Sequence, residues 1–154
     1  MEVAGGGNRL GRCNNAALRK ATRRLGKLYD AVLDPSGLKA TQYILLTQIH
    51  ELGSPTMANL ANSLLMDLSA TRHSLEPLIR ERLVRLHVDP RDRRVKRVIL
   101  TPSGTTKFKK MSELWEKAQD RFERALGRAR AAKLRSELAF LTSDEFSEAL
   151  AATS

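Results

Sequence analysis

Apolar residues recur at helical spacing through most of this chain, but between residues 83 and 100 the period changes. There Val84, Leu86 and Val88 alternate with Arg85 and His87, and after a break Val98 and Leu100 alternate with Arg97 and Ile99. A period of two belongs to strands. The segment between them, Asp89-Pro90-Arg91-Asp92-Arg93-Arg94-Val95-Lys96, is too polar and too basic to be buried. The pattern predicts one hairpin over about 84–100, its tip projecting into water or onto a partner, set into a chain that is otherwise helical.

Upstream, Leu18, Ala21, Leu25, Leu28 and Val32 step by three and four along one stripe and predict a first helix over 9–33. It should stop at Asp34-Pro35-Ser36-Gly37, because Pro35 pushes Asp34 out of helical geometry and Gly37 permits a turn. Residues 1–8, rich in glycine, read as a loose tail. A second helix over 38–52 is apolar nearly all round, through Leu38, Tyr43, Ile44, Leu45, Leu46, Ile49 and Leu52, and belongs at the centre of the core. Gly53-Ser54-Pro55 ends it, with Ser54 or Thr56 able to cap the next helix. Met57, Leu60, Ala61 and Leu64 mark a short third helix over 56–64. Leu68, Thr71, Leu75, Leu78 and Ile79 form the inward stripe of a fourth over 67–81, with Asp67 as its cap.

Two short helices a few residues apart read as a helix-turn-helix. Beyond the hairpin, Phe108, Met111, Leu114, Trp115, Ala118, Phe122 and Leu126 predict a long helix that opens at Thr101-Pro102-Ser103-Gly104 and is interrupted by Gly127. A last helical region carries Leu134, Leu138, Leu141, Phe146 and Leu150 and breaks at Thr142-Ser143, where Ser143 can cap the final turn. The fold class is mainly α with a small β-hairpin wing: a winged helix-turn-helix over 38–101, with helical segments 9–33 and 103–151 available for dimerisation.

With its apolar stripe turned inward, the fourth helix presents Ser69, Ala70, His73, Pro77 and Arg80 outward, with Arg72 on the shoulder; Thr71 is counted with the candidate DNA-facing residues of this helix. Small and hydrogen-bonding side chains at a helix's first turns let it enter the DNA major groove, about 12 Å wide. In the hairpin, Arg91, Arg93, Arg94, Lys96 and Arg97 outnumber Asp89 and Asp92, and a cationic tip beside a helix-turn-helix suits phosphates and the electronegative minor groove. The whole chain carries 27 Lys and Arg against 17 Asp and Glu, a formal charge of +10, which favours a polyanionic partner. Two reading helices must lie about 34 Å apart to meet successive major grooves, and one chain supplies one of them. A homodimer is expected, joined through the long flanking helices.

Other function classes find little support. With 154 residues the chain fits one ordinary domain, and its single cysteine, Cys13, excludes an internal disulfide or a Cys-rich zinc site and fits a reducing compartment. The amino end has no apolar run that would serve as a signal peptide or membrane span, so the expected location is the cytoplasm. His50, His73 and His87 are scattered without metal-ligand spacing, no Gly-rich phosphate loop is present and no nucleophile has a base beside it. Neither an enzyme, a cofactor nor a metal site is expected. A basic architectural protein that coats nucleic acid without reading its sequence stays open as an alternative.

The order of elements, with Tyr29-Asp30, Pro35-Ser36-Gly37-Leu38, Gln42-Tyr43, Leu60-Ala61, Leu75-Glu76-Pro77-Leu78, Leu83-Val84, Asp89-Pro90-Arg91-Asp92-Arg93-Arg94 and Leu100-Thr101-Pro102-Ser103-Gly104, resembles the MarR family of regulators over about residues 9–150. The Asp-Pro-x-Asp-x-Arg wing leading to Leu-Thr-x-x-Gly is the most specific part. The resemblance implies a sequence-specific regulator, by habit a repressor, whose first and last helices intertwine in a homodimer on a palindromic operator, and which is commonly released by a small phenolic or other anionic effector or by oxidation. It puts the major-groove readers on Ser69, Ala70, Arg72 and His73 and the minor-groove arginine on Arg94, with Asp92 steadying the wing by pairing with a nearby Arg. By the same analogy Tyr29, Tyr43 and His50 are candidate lining of an effector pocket, and Cys13 is a candidate redox residue. The peroxide-sensing branch places its cysteine at what is here Asn15, and the thiolate's partner tyrosines at Arg19 and Ala40, so the register disagrees for Cys13. One further departure is Arg82, where the family often has Gly; a left-handed backbone there would cost about 1 kcal/mol.

Overall fold

A computed structural model describes residues 9–153; the tail expected over 1–8 lies outside them. The chain forms two compact units, one ending at Trp115 and the other beginning at Glu116.

The first unit opens with α1 (Arg9–Arg12) and α2 (Asn14–Leu33). The single helix expected over 9–33 is therefore broken at Cys13, which takes extended backbone (φ −86°, ψ 109°) and becomes the N-cap of α2, its Sγ accepting from the Ala16 N–H at 3.4 Å. Asp34 does not leave helical geometry as expected. It sits at φ −46°, ψ −41° and starts a 3-10 turn, Asp34–Ser36, since a proline in a helix's first turn forfeits no hydrogen bond. The reversal comes at Gly37, at φ +74°. Next along the chain are α3 (Ala40–Leu52), α4 (Met57–Ser63) and α5 (Leu68–Arg80). The strands β1 (Val84–Val88) and β2 (Lys96–Leu100) pair antiparallel, with Val84 opposite Leu100 and Val88 opposite Lys96. The next helix, α6 (Pro102–Leu126), starts in this unit.

The core gathers Leu33, Leu38, Tyr43, Leu46, Ile49, Leu60, Leu75, Leu78, Val84, Val98 and Met111, with Phe108, Leu114 and Trp115 packed against it. Burying each large apolar side chain contributes roughly 1.5–3 kcal/mol, so α3 is the central helix of this unit. It is not buried all round, because Ile44 and Leu52 face outward. The hairpin follows the same rule: Val84 and Val98 are buried at its base, while Leu86 and Val88, which alternate with Arg85 and His87, are exposed because two strands alone leave the distal half uncovered.

Non-glycine residues end two of the helices in left-handed geometry. After α4, Leu65 (φ +51°) follows the C-cap, with Met66 N–H donating to the Ala61 carbonyl at 2.9 Å and Leu65 N–H to that of Asn62 at 3.1 Å. After α5, Arg82 (φ +58°) repeats the pattern, Leu83 N–H reaching Leu78 and Arg82 N–H reaching Ile79, both at 2.9 Å. These Schellman turns satisfy carbonyls that the helix leaves open. They also set the angle at which α5 hands over to the hairpin. At the far end Thr101 caps α6 through the Gly104 N–H (2.9 Å) and donates its hydroxyl to the Arg82 carbonyl (2.7 Å). A side chain on Gly104 would run into the Leu83 backbone, so glycine is required there.

The second unit takes the end of α6 with α7 (Arg128–Leu141) and α8 (Asp144–Ala151). Glu123 accepts from Gln119 and Arg135, each at 3.0 Å, and these bonds hold its carboxyl below the usual range, Gln119 contributing most. Ser143 caps α8 through the Phe146 N–H at 3.2 Å, and Phe146 meets Phe140 edge-on with ring centres 5.5 Å apart. Leu134, Leu138, Phe140, Leu141 and Leu150 remain exposed.

Candidate nucleic-acid interface

The helix-turn-helix is built as its sequence dictates. Thr56 caps α4 through the Asn59 N–H (3.1 Å), and Asp67 caps α5 through the Ala70 N–H (2.6 Å). Leu75 and Leu78 lock α5 into the core. Thr71 joins them: it is 0% exposed and donates its hydroxyl back to the Asp67 carbonyl at 2.8 Å, so it positions the helix and cannot face a groove. Ser69, Arg72, His73 and Arg80 are exposed and Ala70 is half-buried, so this face is open to solvent. His73 Nδ1 lies 3.4 Å from the Glu76 carboxylate, both side chains open to solvent. Leu68, assigned from spacing to the buried stripe, is instead 52% exposed. It opens the helix before the core-facing positions begin.

The wing tip is a pair of Asx turns. Asp89 Oδ1 accepts from the Arg91 N–H at 2.8 Å, and Asp92 Oδ1 from the Arg94 N–H at 3.0 Å. Two short acidic side chains, each bonding the backbone two residues on, replace the ladder where the strands part. Asp92 also holds the Arg94 side chain with both oxygens, Oδ1 to Nε at 3.1 Å and Oδ2 to Nη2 at 3.2 Å, while that side chain remains 91% exposed. The Arg that steadies the wing with Asp92 is thus Arg94 itself. The fork geometry presents the guanidinium in one orientation and still leaves donors free.

Arg97 does something the sequence did not indicate. Counted with the basic tip, it turns to Asp89 (Nε to Oδ2, 2.6 Å) and to the Ser54 carbonyl (3.1 Å), and Asp89 is buried rather than projecting. Together with the Val98 N–H bond to the Pro55 carbonyl (2.8 Å), this pins β2 to the segment that enters α4. The backbone bond from Arg91 and the Arg97 guanidinium hold the Asp89 carboxyl below its ordinary value; for Asp92 the Arg94 side chain, then its backbone, does the same. Arg91, Arg93, Arg94 and Lys96 remain exposed. No cue in the sequence separated Arg97 from these; its partners are 8 and 43 residues away.

Of the candidate effector residues, Tyr43 is 7% exposed, bonds its hydroxyl to Ser112 at 3.2 Å and stacks on Phe108 at 6.0 Å. His50 is exposed with its ring 4.5 Å from that of Phe108, and Tyr29 is half-buried on α2. Among the described residues no group of His, Cys, Asp or Glu side chains is arranged to hold a metal, and no helix is long and apolar enough to cross a membrane.

No family profile matches the chain. It is 30% identical over 100 residues to the helix-turn-helix-type transcriptional regulator YhbI of Bacillus subtilis, a match that takes in 65% of this chain and spans 60% of that relative's length. Among solved structures, the DNA complex of the transcriptional regulator MosR of M. tuberculosis superimposes with a TM-score of 0.78 at 32% identity, covering 90% of this chain and 98% of that one. MarR of E. coli shares the fold, with a TM-score of 0.66 at 22% identity, covering 84% of this chain and 96% of that one. A helix-turn-helix with a capped second helix, an arginine-tipped wing anchored beside it, and this likeness along nearly the full length of a known regulator lead to one conclusion: the chain belongs to the MarR family of winged helix-turn-helix transcriptional regulators.

Proposed function

We propose that this protein binds double-stranded DNA as a homodimer, with α5 in the major groove and Arg94 in the adjacent minor groove, and represses transcription from a palindromic operator. The observation that supports this reading best is the Asp92–Arg94 pair, a solvent-exposed guanidinium held in one orientation by two carboxylate oxygens at the hairpin tip. Ser69, Ala70, Arg72 and His73 read base edges, while Arg80, Arg91, Arg93 and Lys96 meet phosphates. The relative MosR was solved on DNA, which supports the same partner here. The exposed apolar side chains Leu18 on α2 and Leu134, Leu138 and Leu150 in the second unit support a two-fold partner. No catalytic step, metal or cofactor enters this reading, and its setting is the cytoplasm.

Selection of bound duplexes from a random library tests it. The expected product is a palindrome with half-site centres about 34 Å apart, preferred at least ~10³-fold at physiological salt. Equal retention of every duplex with steep salt dependence would instead favour the architectural alternative. Within the operator reading, His73→Ala relaxes base choice by about 1–3 kcal/mol, whereas Arg93→Ala weakens all sequences alike. Release by a small phenolic or anionic effector belongs to the same reading, with Tyr29 and His50 as its candidate contacts, since Tyr43 is committed to the core. Titration of the protein–operator complex with a phenolic acid, followed by the fluorescence of Trp115, checks it.

A further inference from the structure

Much of the chain's excess positive charge lies away from the proposed readers. Residues 9–29 hold seven of its 27 Lys and Arg and none of its 17 Asp and Glu, whereas residues 38–101, with the helix-turn-helix and wing, hold ten against six. On α2, Arg19, Arg23 and Lys27 follow one another at four-residue steps, with Lys20 and Arg24 in the neighbouring row, so five cations share one side of the helix over about 12 Å. All five are exposed, and among the described residues none of them has an ion-pair partner. Elsewhere the chain does pair its cations: Arg124 meets Asp120, and Arg135 meets Glu123. Like charges three and four residues apart repel, so this stripe gains from any anionic surface laid along it.

Its direction separates it from α5. Leu25, Tyr29 and Leu33, half-buried or buried, form the opposite row, and α2 packs on α3, which in turn carries α4, α5 and β2. Phosphates along the stripe are therefore not those under the helix-turn-helix. A membrane would need an apolar face open beside the cations, and that row is turned to the protein. The chain's own acidic stretch, from Glu137 to Glu148, is a poorer match, since Asp144 and Glu145 already complement the first turn of α8.

We propose that the basic stripe of α2 is a second polyanion surface, which holds the phosphate backbone of a further segment of duplex DNA without regard to its sequence while α5 and the wing hold the first. The inference rests on the proposed DNA binding by α5 and the wing for that first duplex only.

Two random-sequence duplexes carrying different dyes, mixed with the full chain, test it by energy transfer between them. Wild type should bring the two together, and salt should disperse them with a logarithmic slope of roughly −0.9 for every phosphate the stripe holds. An Arg19→Gln/Arg23→Gln/Lys27→Gln variant should bind a single duplex within about twofold of wild type and bridge two at least ~10-fold more weakly. Glutamine has nearly the helix propensity of arginine and lysine, so α2 still forms. Arg19→Lys/Arg23→Lys/Lys27→Arg, which keeps the charges, should bridge like wild type. Bridging that survives the glutamine substitutions, or a wild type that binds single duplexes and never bridges two, overturns the assignment and leaves the α5 reading standing; a protein that binds no duplex overturns both. Binding of wild type but not the glutamine variant to phosphatidylserine vesicles, with no bridging, would make the stripe a membrane surface, and a glutamine variant that sediments at half the wild-type mass would make it a subunit contact; either result rejects DNA as its occupant.

Discussion

Arg82 carries a left-handed backbone at φ +58° with no side-chain reason to do so, since its own hydrogen bonds are made by backbone N–H and carbonyl. An L-residue there bears about 1 kcal/mol of strain, so Arg82→Gly should stabilise the protein by about that amount, visible as a rise in Tm of roughly 2–4 °C. An unchanged or lower Tm would mean that the arginine side chain contributes more than its backbone costs. The wing aspartates carry a second consequence. Asp89 and Asp92 are held below the ordinary value of 3.8, by the Arg91 backbone and Arg97 in one case and by Arg94 in the other. A lowered carboxyl stabilises the fold above its unfolded value and stops doing so as pH falls through the lowered folded value. The wing should therefore keep its turns as pH falls past the ordinary value of 3.8 and lose them only at lower pH, where the depressed folded values are crossed. Carboxyl NMR titration checks this, and an Asp89 midpoint at or above 3.8 would contradict it.

At the scale of elements, the proposed reading helix α5 depends on its cap. Asp67 satisfies the Ala70 N–H and complements the positive end of α5, so Asp67→Ala should cost about 1 kcal/mol of stability and loosen the turn that carries Leu68 and Ser69. Chemical denaturation measures the first effect, and a change in operator preference larger than that of a distant, equally destabilising variant measures the second. Thr56→Ala is a suitable comparison, because it removes the equivalent cap from α4, which carries none of the proposed readers. The wing is anchored at its base by different means: Val84 and Val98 are buried, and Arg97 ties the strand to Ser54 and Asp89. Arg97→Ala should accordingly reduce DNA affinity through a mobile wing, although Arg97 itself faces inward; backbone relaxation at residues 89–96 distinguishes that from a lost phosphate contact.

For the whole molecule, the proposed dimer predicts a sedimenting species of twice 17.2 kDa at micromolar concentration, and a monomer there would remove the basis for a palindromic operator. Local rules made much of the architecture legible in advance. Helical and strand periods, the caps Asp67 and Ser143 and the turn at Gly37 come from residues acting on their own backbone within a few positions, so the order of elements and the helix-turn-helix could be read directly, while the structure chose Thr56 over Ser54 as the cap of α4. Tertiary packing decided what those rules leave open. Which apolar residues stay outside, as Leu68, Ile44 and Leu86 do, depends on what neighbouring elements cover, and periodicity has no access to that. Which arginines are free and which are structural depends on partners distant in the chain: Arg94 and Arg97 are three residues apart in one basic run, yet one is presented to solvent by Asp92 and the other is drawn inward by Asp89 and Ser54. Charge and spacing placed both at the wing, and only the folded geometry gave them opposite tasks.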